Sequence, residues 1–439
     1  MKINTVNLNF VLLLVFPLMF VIGNAAVNFH MLFSLFFLFL FKEVIIEMIK
    51  TNKRTSLFIL LSYLYFIGNA IFVANNMDSI IFSLGLIKFI VLFFFVKISF
   101  DNLKDKINKI LLCWVFFFLF LELDTLFQFF NGTNIIGIPS ELIGSNIDCK
   151  NNLIFQVIND IYSNLKTCPS FLITSRLSGF FGSELVIGGF ISYFFCILYG
   201  FLQHLEKRKT ALFFLLISFF TVFFSGERMA FLSLSACLIL FLAFRFDIKF
   251  FFTFTLLVLL SVFFINQSPG ASKRYKEINE LNYSYSVNKK IDLPYYSLWK
   301  LSLYEFKNNI FFGMGIKNFR KSCNTEIKKN FIKNNFGLNA CRNHSHNIYL
   351  EILAETGLVG FSIFFSIFLY FFFNILRVYF LNKANYVALS SLISIITILN
   401  PLKTSGSIFS TFFGLLMLSC IFLSYFISKS YVISKDSTQ

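Results

Sequence analysis

Residues 341–361 read CRNHSHNIYLEILAETGLVGF, and two kinds of chain meet within them. The first half is polar and carries Arg342, His344, His346 and Asn347, while from about residue 355 an apolar run continues to about residue 375. A run of about 20 apolar residues is what a helix needs to cross a bilayer. The stretch therefore reads as the end of a large polar loop held at a membrane face, immediately before a span.

The rest of the chain agrees with that reading. Of 439 residues, 57% are hydrophobic and only 14% charged, against roughly 25% charged in a soluble domain. The 68 Phe residues, together with abundant Lys, Asn and Ile, fit an AT-rich genome better than an aromatic binding device. Apolar runs of span length fall near 6–23, 26–41, 56–73, 79–98, 109–130 and 184–202, then near 210–226, 228–244, 250–266, 355–375, 385–400 and 406–428. They are continuous rather than alternating, so helices and not a closed barrel satisfy the backbone in lipid. The expectation is an all-α polytopic membrane protein with about twelve transmembrane helices.

Positive residues in short loops stay on the cytoplasmic side, which fixes an orientation. With the N-terminus inside, cytoplasmic loops and tails collect eighteen Lys and Arg, among them Lys50, Lys53, Arg54, Lys104, Lys106, Arg208 and Arg245, whereas the short outward turns hold Arg228 and Lys403. Both termini are then cytoplasmic. The segments run in order: helices one to five over 1–130, a periplasmic loop over 131–183, helices six to nine over 184–266, a large periplasmic loop over 267–346, and the last three helices and tail over 347–439. Lys2 before an apolar core, with Gly23-Asn24-Ala25 after it, also fits a cleavable signal peptide, and its removal would leave the later helices oriented as before.

The cysteines follow this topology. Cys149 and Cys168 fall in the first outward loop and Cys323 and Cys341 in the second, an even pair in each, as for disulfides in an oxidising compartment. Cys113, Cys196, Cys237 and Cys420 fall inside spans, where a thiol acts as a small hydrophobe. The second loop is basic, with fourteen Lys or Arg against five acidic residues. A solvated or headgroup-contacting face accounts for that, as does attraction of a diphosphate or an anionic glycan. A nucleic-acid partner is excluded by the compartment.

His346 and Asn347 are followed by nine residues, Gly357, two more, and Gly360. This His-Asn-x9-Gly-x2-Gly pattern resembles the signature of the O-antigen ligase and O-antigen polymerase family. The Arg176 stretch with Gly179, the Ser-Gly-Glu-Arg turn at 225–228, the segment NNIFFGMGIKNFRKSC and Asn400-Pro401 are also similar to the family, over roughly residues 170–425. The resemblance implies a bacterial inner-membrane glycosyltransferase of lipopolysaccharide or surface polysaccharide biosynthesis, active on the periplasmic side. The donor is a glycan on undecaprenyl diphosphate, and the acceptor is a lipid A core for a ligase or a second carrier-linked glycan for a polymerase. Membrane lipids surround the enzyme, and neither a metal nor another cofactor takes part.

Such a transfer needs a base for the acceptor hydroxyl and positive charge for the departing diphosphate. His346 suits the first task, with His344 beside it; a loop-bonding His346 is the structural alternative. Cys341, His344 and His346 also form a candidate metal set, though at no common spacing. Arg176 and Arg228 are the diphosphate candidates, since a guanidinium fork matches phosphate oxygens. An ion pair of Arg228 with Glu227 or Glu184 is the structural alternative. The family's arginine before the Trp is missing here, where Asp292-Leu-Pro-Tyr-Tyr-Ser-Leu leads into Trp299, and Arg320 and Arg274 stand as substitutes. Gly357 and Gly360 would let the helix approach a neighbour. Lys88, Glu122 and Asp124 are the remaining charges within spans, the acidic pair placed to reach water. Twelve spans also suit a lipid-oligosaccharide flippase, which has no need of the loop that carries the histidines.

Overall fold

The computed structural model describes residues 5–104, 106–142, 154–157, 168–275, 294–337 and 340–433. Its helices are α1 (Thr5–Ile22), α2 (Asn24–Phe39), α3 (Lys42–Thr51), α4 (Lys53–Gly68), α5 (Met77–Leu84), α6 (Ile87–Asn102), α7 (Ile107–Asn131), α8 (Ile187–His204), α9 (Arg208–Phe224), α10 (Arg228–Phe244), α11 (Ile248–Gln267), α12 (Pro294–Asn308), α13 (Glu326–Phe336), α14 (Ile348–Leu381), α15 (Tyr386–Ile398) and α16 (Thr411–Ile433). Two short strands, β1 (Glu141–Leu142) and β2 (Thr174–Arg176), pair antiparallel, with Glu141 opposite Arg176. This ladder is a small departure from an otherwise all-α chain.

Each expected apolar run is helical. Among the described residues, eight helical stretches are long and apolar enough to cross a membrane, which makes this a multi-pass membrane protein. The other four runs form shorter helices: α2 has 16 residues, α9 and α10 have 17 each, and α15 has 13. Three of them are as long as the apolar runs in the sequence, and α15 alone is shorter than its run over 385–400. Capping sets several helix starts: Asn76 accepts from the N–H of Ser79, Asp247 from Lys249 and Phe250, and Thr325 from Lys328.

The chain forms two compact units, each assembled from separated segments. The first comprises residues 1–107, 290–382 and 398–439, and the second residues 108–289 and 383–397. In the first, α6 packs against α2 and α16, and α14 packs against α4, α12 and α16. Rings fill these contacts, with Phe93 against Phe422 and Phe364 against Phe409. A buried polar pair lies there too, where the Ser99 hydroxyl donates to the side-chain oxygen of Asn9 at 2.7 Å.

In the second unit α8 lies among α9 and α10, and it is buried along most of its length. Phe118 and Trp114 of α7 pack on Phe194 of α8. Two sequence expectations are corrected here. Cys196 of α8 and Cys237 of α10, expected as separate buried thiols, are joined as a disulfide, because adjacent helices bring the two positions together. Of the other two in-span cysteines, Cys113 is free and exposed and Cys420 free and buried. Glu122 and Asp124 do not reach water: they are 0% and 1% exposed. Ser218 donates to Glu122 at 2.6 Å, and Asp124 accepts from the N–H of Ile135 at 3.0 Å. A carboxylate that holds a neighbouring turn replaces solvent with protein donors.

Candidate functional site

The first unit holds the histidine motif. Asn347 is the N-cap of α14: its side-chain oxygen accepts from the N–H groups of Tyr349 and Leu350, both at 3.1 Å. Its amide nitrogen donates to the carbonyl of Pro401 at 2.7 Å. One side chain thus starts the helix and ties it to the turn before α16. His346, one residue earlier, has φ of +52°, uncommon for a residue other than glycine. Its carbonyl accepts from the N–H of Ser405 at 2.9 Å. The backbone of His346 is therefore fixed from both sides, and its imidazole lies in contact with the rings of His344, 4.1 Å between centroids, and Tyr295, 5.6 Å.

Eleven positions further on, α14 is interrupted. Gly357 has φ 63° and ψ −166°, a conformation essentially confined to glycine. Helix hydrogen bonds fail around such a residue, and the segment 310–315 supplies replacements. The N–H of Met314 donates to Ala354 and that of Gly315 to Glu355, while Leu358 and Val359 donate to the carbonyls of Ile310 and Phe311, at 2.8–3.2 Å. The Tyr65 hydroxyl takes the Thr356 carbonyl at 2.7 Å. The approach is close enough that a Cβ on Gly357 would lie 2.4 Å from the Phe311 carbonyl. Gly357 thus breaks the helix to admit a loop, where the sequence reading had it smoothing helix contact. Gly360 remains helical and abuts Thr356 of its own helix and the Tyr65 ring.

The same loop delivers a buried cation. Lys317 is 4% exposed, and its ammonium bonds the hydroxyl of Ser407. Its N–H donates to the Glu355 carboxylate at 2.7 Å. Glu351, one turn earlier on α14, accepts from the N–H of Ile408 at 3.0 Å. Both glutamates are buried, and both interact electrostatically with Lys317. Lys317, Glu351 and Glu355 thereby brace the 400–410 turn under the histidines. The sequence reading treated Lys317 as one charge of a basic loop and gave no weight to either glutamate; the signal it missed was two carboxylates four apart on an otherwise apolar helix.

Electrostatics keeps both imidazoles neutral. Burial, then His346, then Lys317 and Arg320 hold His344 down to about 3. Burial, with Arg342 adding to it, also lowers His346, against the opposing effect of a hydrogen bond to the Ser405 main chain, which favours the protonated ring. Neutral imidazole can accept a proton. Cys341 is bonded to Cys323 across a Cα–Cα distance of 5.7 Å, so the Cys341, His344 and His346 set lacks its thiolate. This bridge packs on a small core of Leu298, Leu301, Phe319 and Ile332. Arg320 is exposed and lies over the ring of Phe82, 5.3 Å from its centroid. Cys149 lies outside the described residues, and so does its expected pairing with Cys168.

The second unit holds the arginines. Arg176 ends β2, and its Nη2 donates to the carbonyl of Leu185 at 3.0 Å. Arg228 begins α10 and is half-buried. Glu227, which precedes it, accepts from the N–H of Gly188 at 2.6 Å and of Gly189 at 3.2 Å, both in the first turn of α8. Glu184 is exposed. Arg274 donates through Nε and Nη2 to the carbonyl of Gly226, each at 3.2 Å.

The first unit thus carries a histidine at the capped start of a broken helix, and the second carries three partly buried arginines. Residues 211–365 match the family model described as O-antigen ligase. The O-antigen ligase match runs from α9 into α14, so it includes Arg228, His346, Asn347, Gly357 and Gly360 and leaves Arg176 and Glu184 outside. It supports a ligase- or polymerase-type role in surface polysaccharide synthesis, with lipid-linked glycans as the substrate class. No curated protein matches the chain.

Proposed function

We propose that this protein transfers a glycan from undecaprenyl diphosphate to an acceptor hydroxyl on the periplasmic face of the bacterial inner membrane, as an O-antigen ligase. The observation that carries the reading is the O-antigen ligase match across the stretch where Asn347 caps α14 and fixes a neutral His346 beside it. In this scheme His346 takes the proton from the acceptor hydroxyl. The freed oxygen attacks the anomeric carbon, the bond from that carbon to the diphosphate oxygen breaks, and the carrier leaves as a lipid diphosphate, with inversion. Arg176 and Arg228 hold the diphosphate, and Arg320 is a further candidate. About twelve membrane segments, with both termini in the cytoplasm, would place the two large loops outside.

The acceptor separates ligase from polymerase. A ligase admits lipid A core, whose phosphates suit the basic loop over 267–346, although a second carrier diphosphate suits it almost equally. Deletion followed by analysis of surface glycan decides. A ligase mutant accumulates full-length polymer on the carrier beside bare core. Core capped with one repeat unit assigns a polymerase instead, and carrier-linked repeats trapped on the cytoplasmic side assign a flippase.

A further inference from the structure

Two tyrosines open α12 in the first unit, and one of them stands at the histidine. Pro294 takes the first position of that helix, where its fixed φ and missing N–H suit a start, so Tyr295 and Tyr296 follow in the first turn. The inward side of α12 sets their place: Leu298 and Leu301 are buried with Phe319 and Ile332 in the same small core on which Cys323 and Cys341 pack. Cys341 lies five residues before His346. Tyr295 and His346 are therefore referred to one core, braced by one disulfide.

Within that frame the Tyr295 ring meets the imidazole of His346 edge to face, 5.6 Å between centroids and 75° between planes. Such a pair covers at most one face of either ring. Tyr295 keeps 40% of its surface exposed, which leaves room for a further ring against it. Tyr296 is exposed as well, but the Lys300 ammonium lies over its ring, 4.4 Å from the centroid. The other ring that touches His346 is the half-buried His344. Of the two neighbours of the candidate base, the open one is thus an uncharged aromatic ring.

We propose that Tyr295 is the platform on which the acceptor's terminal sugar stacks, so that one of its hydroxyls is presented to His346. This rests on the glycosyltransferase reading above and adds a specificity-determining residue to it. A pyranose carries its equatorial hydroxyls around the rim and turns C–H bonds to its faces. Those C–H bonds are apolar and slightly positive, which matches the negative face of an aromatic ring. A sugar lying flat on Tyr295 therefore aims its rim at whatever stands beside the ring, and what stands there is the base. The reacting hydroxyl must come within hydrogen-bond reach of the imidazole, and a platform in contact with that imidazole holds the sugar near enough to do so. The class selected is a hexopyranose with one face free of axial hydroxyls.

The test is transfer kinetics of the full-length protein in detergent micelles, with carrier-linked glycan as donor and rough lipopolysaccharide as acceptor, both extracted from the deletion strain. Tyr295→Leu is expected to raise KM for the acceptor by about 5- to 10-fold and to leave KM for the donor in place. Tyr295→Phe and Tyr295→Trp keep a ring and are expected to stay near wild type. Tyr295→Gln serves where the Leu variant does not accumulate. Tyr295→Phe as impaired as Tyr295→Leu assigns the hydroxyl rather than the ring and overturns the inference. So does a lower kcat at unchanged acceptor KM, the mark of a ring that only positions His346, and so does a shift in donor KM instead. Unchanged kinetics in Tyr295→Leu overturn it as well and leave Tyr295 an anchor in the membrane interface. No transfer by wild type overturns it together with the glycosyltransferase reading.

Discussion

Gly315 donates its main-chain N–H to the carbonyl of Glu355 at 2.8 Å, so a loop residue takes the place of the helical donor that α14 lacks where it breaks. Gly315 has φ of +93°, and a Cβ there would meet that of Ala74 at 2.3 Å. Loop, broken helix and the end of the first unit's α4 region are consequently one construction. The Asn69 side chain, in the π-helical turn that follows α4, donates to the carbonyl of Phe312 at 2.6 Å and completes it. It sets where α14 starts relative to the loop that carries Lys317, and so fixes the platform beneath His346.

Gly357→Ala and Gly315→Ala should therefore be severe. Each combines strained backbone with a collision against main chain or a tightly held methyl, for a cost of roughly 3 kcal/mol. Gly360→Ala also collides, with Oγ1 of Thr356 at 2.1 Å and its Cβ at 2.3 Å, and rotation moves only the hydroxyl; but Gly360 carries no positive φ and meets no main chain, so its cost should be smaller. Thermal unfolding of the three variants in detergent checks the order; equal stability of Gly357→Ala and wild type would remove the helix break from the account.

How much of this was legible beforehand differs by element. The apolar runs were readable because helix formation in lipid leaves a continuous signal that needs no partner. The break at Gly357 was not, since Gly-x2-Gly reads equally as a smooth small-residue stripe, and only the segment 310–315 inserted beside it decides. Lys317 looked like a loop charge because nothing local shows that Ser407 and Glu355, 90 and 38 residues away, will surround it. Nothing in the Ser-Gly-Glu-Arg turn shows that the Glu227 carboxylate accepts from two amides of α8, because those lie 38 and 39 residues away. Cys196 and Cys237 were read one helix at a time, which hides any pairing between helices.

The bridge between Cys323 and Cys341, at a sequence separation of 18, restricts the unfolded chain. In the chain-entropy model a loop of that size is worth roughly 3 kcal/mol. It also fastens the segment after Arg320 to the histidine motif. Mass spectrometry of non-reduced protein should find the linked peptides, and Cys323→Ser should lower the melting temperature as reduction does. Free thiols at both positions in membrane-embedded protein would refute the bridge.

His346→Ala should reduce glycan transfer by roughly 10²- to 10⁴-fold, the usual range for loss of a general base. The backbone at this position favours residues that accept a positive φ, so His346→Asn is the better control: it tolerates the conformation and supplies no base. Both variants should insert and accumulate like wild type, and chelators should leave wild-type activity intact. Normal transfer by His346→Asn would sink the assignment, and chelator-sensitive activity would bring back the metal alternative.

The histidine pair also makes stability depend on pH, with a definite sign. His344 is held at about 3 in the folded protein, against about 6.5 for an unfolded chain. Above about pH 6.5 both states are neutral there and the residue adds no pH dependence. Below it the unfolded chain gains a proton that the folded protein refuses, so stability falls with falling pH until the folded value is reached. At pH 5 the loss is about 2 kcal/mol. His346, lowered in the same direction, adds to it, and its neutral form should keep transfer active to below the ordinary imidazole midpoint. Melting temperatures measured from about pH 7.5 to about pH 5 should drop for wild type and drop less for His344→Gln, which cannot take up the proton in either state. Parallel curves for the two proteins would show that His344 titrates normally in the fold, and that burial does not hold it neutral.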